Sequence, residues 1–266
     1  MTYLEGQKLF WKELFGQADL SRRIFLHNFL DIHRQNRLGL LWVIINPCVP
    51  LIVYNSMQFL GIFKDTSADI PRSVHLTLGL LIYYAFSDAL NSFAICLPQN
   101  SQYILRGGVS KLSVYVGTLY EVVANFMIMF IAFILLSHFV GYNVEWRVLC
   151  VPLVGGLAIG LGTVLGVFLS IFYVYFRDLG NILRMFTFYL LFGSGVFGEI
   201  EESGVFFDVL RSSSLYKLIG QGRSILFEGQ FVFDSSILYV FGISIGLLIL
   251  FMGFFMRGEK RLNAFI

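Results

Sequence analysis

The sequence predicts an all-α integral membrane protein: six transmembrane helices, both termini on the cytoplasmic side, and an amphipathic interface helix ahead of the first span. Three observations predict it. Of the 266 residues, 57% are hydrophobic and only 14% charged, against roughly a quarter charged in soluble domains. Six apolar runs recur along the chain, most near the about 20 residues that a spanning helix needs. The cations also segregate to alternate sides of those runs.

The runs are Leu40–Phe63, Val74–Leu97, Val114–Val140, Val148–Phe172, Ile182–Phe197 and Ile237–Met256. The fifth is the shortest and carries Arg184. With six spans the two termini share a side. If the termini and the loops 98–113 and 173–181 face the cytoplasm, those segments hold 12 of the 19 Lys and Arg residues. The segment between the fifth and sixth runs is acidic instead, with Glu199, Glu201, Glu202, Asp208, Glu228 and Asp234. Short loops rich in Lys and Arg resist translocation, which orients the chain N-in, C-in.

Residues 1–37 form a cytoplasmic amphipathic region, and 38–266 the six-span domain. The first residues mix acids and bases without an apolar core, unlike a secretory signal peptide. Phe25, Leu26, Phe29 and Leu30 make an apolar helical stripe flanked by Arg22, Arg23, Arg34 and Arg37. Such a helix lies in the membrane surface or packs against the protein's own loops, and the two are compatible. The first span holds Asn46-Pro47 and Pro50, so it is expected to kink or start late. Asn46 at membrane depth should face protein or water. The same span carries Trp42, Tyr54 and Phe59.

Residues 98–113 are a polar interruption with Arg106, Lys111 and no acid. Tyr103, Ile104 and Leu105 give one helical turn, stopped by Gly107-Gly108. The segment is either a surface on which a soluble partner pushes or an ordinary connector. The fourth span contains Gly156-xxx-Gly160 and Gly162-xxx-Gly166, spacings that let helix backbones approach closely. Residues 198–236 are too polar to span, yet they alternate clusters such as Val205-Phe206-Phe207 and Leu215–Ile219. One or two short helices half-sunk at the outer face are expected there, as a lid or a connector.

Little in the chain points to chemistry. Asp88 and Glu121 lie inside the second and third runs, where a carboxylate should face protein, an interface or water; a structural role fits better than a proton relay. Arg177-Asp178 reads as structural. Cys48, Cys96 and Cys150 are far apart, and the four histidines show no metal spacing, so neither a disulfide framework nor a metal site is expected. No dense basic run suggests nucleic acid. No GxxxxGK(S/T) occurs, so any ATP-driven work falls to a separate polypeptide. Aromatic residues reach 17%; Tyr83, Tyr84, Phe86 and Phe93 are candidates to line a path, although lipid-facing rings explain much of the same enrichment.

These pieces resemble, in order and over nearly the whole length, the membrane subunits of ABC exporters for bacterial surface polysaccharide, the O-antigen permeases above all. The matching residues are Arg37-Leu-Gly-Leu-Leu-Trp42 leading to Asn46-Pro47 and Phe63-Lys64, then Gly79-Leu-Leu-Ile-Tyr-Tyr84 and Ser87 to Asn91. Tyr173-Val-Tyr-Phe-Arg-Asp178 and Gly258-Glu-Lys-Arg261 complete the set. One departure is Ser212-Ser-Ser-Leu215, where the family pattern has an asparagine–proline pair.

The resemblance implies a homodimer working with two copies of an ABC ATPase, which would hold the ATP and magnesium; this chain would bind no cofactor. Gln102, Tyr103, Ile104, Arg106 and Lys111 would form the coupling helix seated on that ATPase. Segment 203–222 would supply the outer gate. An undecaprenyl-linked polysaccharide would cross the bacterial inner membrane between the subunits, with Tyr54, Phe59, Tyr83, Val205 and Phe206 lining or gating the channel. Alternatives are a capsule, teichoic-acid or small-amphiphile permease of the same fold, or a membrane-embedded glycan-modifying enzyme, for which no catalytic pair is recognisable.

Overall fold

The computed structural model describes residues 18–26, 41–61, 71–107, 109–142, 145–176, 178–198 and 205–229, with isolated helical positions at 235, 239, 242 and 246. The described residues are helical, with no strand among them. The helices are α1 (Ala18–Leu26), α2 (Leu41–Phe59), α3 (Arg72–Gln99), α4 (Ser101–Gly107), α5 (Lys111–Phe139), α6 (Val151–Tyr175), α7 (Leu179–Gly193), α8 (Val205–Ser212) and α9 (Ser214–Arg223). A 3-10 turn, Trp146–Cys150, leads into α6, and a π turn, Ser224–Glu228, follows α9.

Among the described residues, three stretches are long and apolar enough to cross a membrane: Arg72–Gln99, Lys111–Phe139 and Trp146–Tyr173. Their burial separates their roles. The most apolar window of α3 is 72% buried, against 22% for α5 and 39% for the 3-10 turn and α6 together. A helix buried on most of its circumference is the core of a bundle, and α3 is that core. The others give one stripe to α3 and turn Ile131, Leu135, Leu153, Leu165 and Phe168 outward. Outward apolar faces suit hydrocarbon, which offers no penalty for them.

Small residues decide how closely α6 approaches α3. A Cβ on Gly162 would collide with the Phe86 carbonyl, and one on Gly166 would lie 2.6 Å from the Phe93 Cβ. The other expected pair behaves differently: nothing lies within 4 Å of a Cβ on Gly156, whereas neighbouring Gly155 receives the Phe126 ring of α5. Across the α5–α6 seam, Tyr115 and Ser170 share a buried hydrogen bond of 2.8 Å. Ser170 already gives its one proton to the Val167 carbonyl at 2.6 Å, so Tyr115 is the donor.

The first run is helical as α2, 19 residues long. It includes Leu41, ahead of both prolines, so of the two outcomes expected from Pro47 and Pro50, a kink or a late start, the late start is not found. Buried Asn55 ties it to α3, donating to the Thr77 hydroxyl at 2.8 Å and to the Leu51 carbonyl at 2.8 Å. Helix α1 packs on the shaft of α5, with Phe25 the one described member of the expected stripe in contact and Leu26 exposed. Ser21 and Ile24 of α1 are buried, and a Cβ on Gly117 of α5 would lie 3.1 Å from each of them. Phe25 meets Tyr120 edge-on at 6.2 Å. Phe29, Leu30, Arg34 and Arg37 lie outside the described residues, as does nearly all of the sixth run.

Candidate functional site

The fifth run becomes α7, 15 residues that bury only Gly180, Leu183, Thr187 and Leu191. That stripe, about one residue per turn, leaves most of the helix uncovered: Ile182, Met185, Phe186, Phe188, Tyr189 and Phe192 are each more than half exposed. The uncovered rings touch in sequence. Phe188 lies edge-on to Tyr189 at 5.7 Å and to Phe192 at 5.6 Å. Phe192 stacks on Phe197 at 5.3 Å, and Phe197 reaches Tyr54 of α2 at 5.4 Å. Five rings thus run without a break from the middle of α7 across its terminal turn to α2. Aromatic pairs at such separations favour offset and edge-to-face geometry.

Behind this run the helix is held by polar pins. The buried hydroxyl of Tyr83 donates to the Thr187 carbonyl, so Tyr83 stands in the bundle core while Tyr54 stands on the run. In the turn after α7, Arg223 of α9 forks over two successive carbonyls, Nη1 to Gly195 at 2.8 Å and Nη2 to Val196 at 2.6 Å. Arg72 of α3 donates to the next carbonyl, that of Phe197, at 3.0 Å. Arg184, at the other end of α7, folds back onto the Gly180 carbonyl (3.3 Å) and Asn181 Oδ1 (2.7 Å).

Within the segment 198–236, the described residues 205–229 form two short helices, α8 and α9, followed by the π turn, and α9 is buried against the bundle. Ser213 caps α9, its hydroxyl accepting from the Tyr216 amide at 3.3 Å. Leu215, Leu218, Ile219 and Gly222 are buried, and Gly222 lies against Ile82 of α3. Phe227 of the π turn stacks on His75 at 5.7 Å and meets Tyr142 edge-on at 6.1 Å. Burial raises the Tyr142 phenol above its usual range; Glu145 adds to the shift and Arg147 opposes it. Irregular backbone at membrane depth is tolerated where protein covers it.

At the opposite end of the bundle, α4 separates α3 from α5. Buried Asn100 closes α3 by donating to the Cys96 carbonyl at 2.9 Å. Gln102 and Tyr103 are exposed, whereas Ile104 and Lys111 are buried. Tyr103 and Ile104, adjacent in one helical turn, thus differ in exposure, the first open and the second covered. The side chains of Arg106, Phe59, Val205 and Phe206 lie outside the described residues.

One pairing was invisible in the sequence. Half-buried Asp88 of α3 and Glu121 of α5 come within electrostatic range of each other across the seam between their helices. Nothing in their spacing could have indicated this, because the contact depends on the relative rotation of two separate helices. Among the described residues no three of His, Cys, Asp or Glu gather into a metal-binding group. No protein-family model matches the chain, and no curated protein matches it.

Proposed function

We propose that this chain is the transmembrane subunit of an ATP-driven exporter that moves a lipid-linked O-antigen polysaccharide across a bacterial inner membrane. In this reading the chain has six spans with both termini inside, acts as a homodimer, and has no ATPase site of its own. Two copies of a separate ATP-hydrolysing subunit drive it. The observation that carries the reading is the aromatic run Tyr189–Phe188–Phe192–Phe197–Tyr54, exposed along α7 and half-buried at Phe197 and Tyr54. Aromatic faces stack on the C–H faces of sugar rings, and successive rings give a polymer successive footholds as it slides. The sequence resemblance to polysaccharide permeases supports the same reading. So does α4, a short helix presenting Gln102 and Tyr103 between two spans.

The test is co-expression with a neighbouring ATPase gene, followed by purification and reconstitution. The expected outcome is stable co-purification of a P-loop subunit, no ATP hydrolysis by this chain alone, and ATP-dependent protection of labelled lipid-linked glycan inside vesicles. Phe188→Ala combined with Phe192→Ala should abolish glycan movement and leave the complex assembled. Glycan movement at the parental rate in that variant would remove the aromatic run from the pathway.

A further inference from the structure

The end of α7 is fastened largely by polar bonds, with Leu191 and Val196 as its buried apolar contacts. Its apolar hold is thin, about one buried residue per turn. Its last carbonyls have no donors from within the helix and carry the negative end of the helix dipole. Two arginines from two different elements take three of the carbonyls that follow, Gly195, Val196 and Phe197, in succession. Guanidinium is always charged, and hydrogen bonds from a charged donor are roughly twice as strong as neutral ones.

The seat for this fork is built from two glycines. A Cβ on Gly79 of α3 would lie 2.8 Å from Arg223 Nη2 and 3.3 Å from the Val196 Cα, so only a glycine leaves room for the guanidinium. Gly195 adopts φ +77, and the Tyr216 ring lies 2.6 Å from where its Cβ would stand. Left-handed backbone of this kind is open to glycine at little cost. Arg223 and Tyr216 both belong to α9, so one short helix grips the turn by a ring and by a fork.

We propose that Arg72 and Arg223 form a releasable latch that holds the outer end of α7 against α3 and α9. The acceptors are neutral carbonyls, which water satisfies equally when the arginines withdraw. Separation therefore costs these polar bonds and the exposure of one core side chain, Val196, together with part of Phe197. Phe192 and Phe197 move with the turn, so release also breaks the aromatic run where it crosses to Tyr54. The placement of this end as outer rests on the proposed function; the latch rests on the geometry.

Hydrogen–deuterium exchange on the full chain in lipid nanodiscs tests it, with solute leak from proteoliposomes as the second readout. Arg223→Gln should raise exchange in residues 192–198 by at least about tenfold, the factor that one charge-assisted hydrogen bond is worth. Arg223→Lys should fall between, because an ammonium keeps the charge but lacks the planar, pre-organised fork that meets both carbonyls at once. Exchange along the Gly162–Gly166 seam should stay at the parental rate, and leak should rise. Arg72→Gln, which removes the charged donor to the Phe197 carbonyl, carries the test if Arg223→Gln does not insert. Parental exchange at 192–198 in both glutamine variants overturns the latch. Raised exchange with parental leak overturns its part in gating. Failure to find an ATPase partner would sink the export reading and leave the exchange result standing.

Discussion

Gly162 of α6 rests directly on the backbone carbonyl of Phe86 in α3, leaving no room for a side chain. One turn further on, Gly166 repeats the contact against Phe93 and the Leu90 carbonyl. Gly162→Ala must therefore push α6 off α3 and should cost about 1–3 kcal/mol, the usual cost of overpacking. Gly156→Ala meets nothing within 4 Å and should change stability by no more than about 1 kcal/mol, in the stabilising direction set by helix propensity. Denaturant titration in mixed micelles compares the two. Equal effects would mean that the seam does not pass through Gly162.

Asp88 and Glu121 bring two carboxyl groups within electrostatic range across one seam. Asp88→Asn removes both the cost of burying a carboxylate and its repulsion by Glu121, so it should raise the thermal midpoint by about 2–4 °C, the shift expected for roughly 1 kcal/mol in a chain of this size. Differential scanning fluorimetry in detergent measures it. A lowered midpoint would show that the carboxylate is held by a stabilising contact that outweighs the repulsion.

Tyr115 donates to Ser170, which in turn donates to Val167. Tyr115→Phe and Ser170→Ala should each cost about 1 kcal/mol, and the double variant should cost little more than either alone. Additive losses in the double-mutant cycle would deny that the two hydroxyls act as a pair.

The two neighbouring residues of α4 should separate by phenotype. Tyr103 is exposed, so Tyr103→Ala should weaken ATPase binding by about 2 kcal/mol or more, as a buried interface anchor does, without altering the fold. Ile104 is buried, so Ile104→Ala should lower the stability of the subunit by about 2–4 kcal/mol. Pull-down of the ATPase and thermal unfolding, measured on both variants, check the division. Parental ATPase binding by Tyr103→Ala would remove α4 as the docking surface.

Membrane character was legible from composition and from runs such as Val74–Leu97 and Val114–Val140, because a spanning helix announces itself through length and apolarity alone. The short helices after residue 204 were legible too, since their apolar clusters are too brief to span. What helix start signals could not settle was α2. Pro47 and Pro50 lie within a helix that nonetheless begins at Leu41, its neighbours on α3 and α5 outweighing local propensity.

The sequence by itself determined that the chain is helical, apolar and punctuated by polar loops, because those properties are carried residue by residue. Only the tertiary structure decided which face of each helix is covered. It assigned Gly162 rather than Gly156 to the α3 seam, left Tyr103 open and Ile104 covered, and brought Asp88 beside Glu121. It also brought Arg72 and Arg223, 151 positions apart in the chain, to one turn after α7. The physical reason is the same in each case. In a helix whose residues are apolar all round, hydrophobic periodicity carries no phase, so rotation about the axis is set by close packing and by where polar atoms find partners.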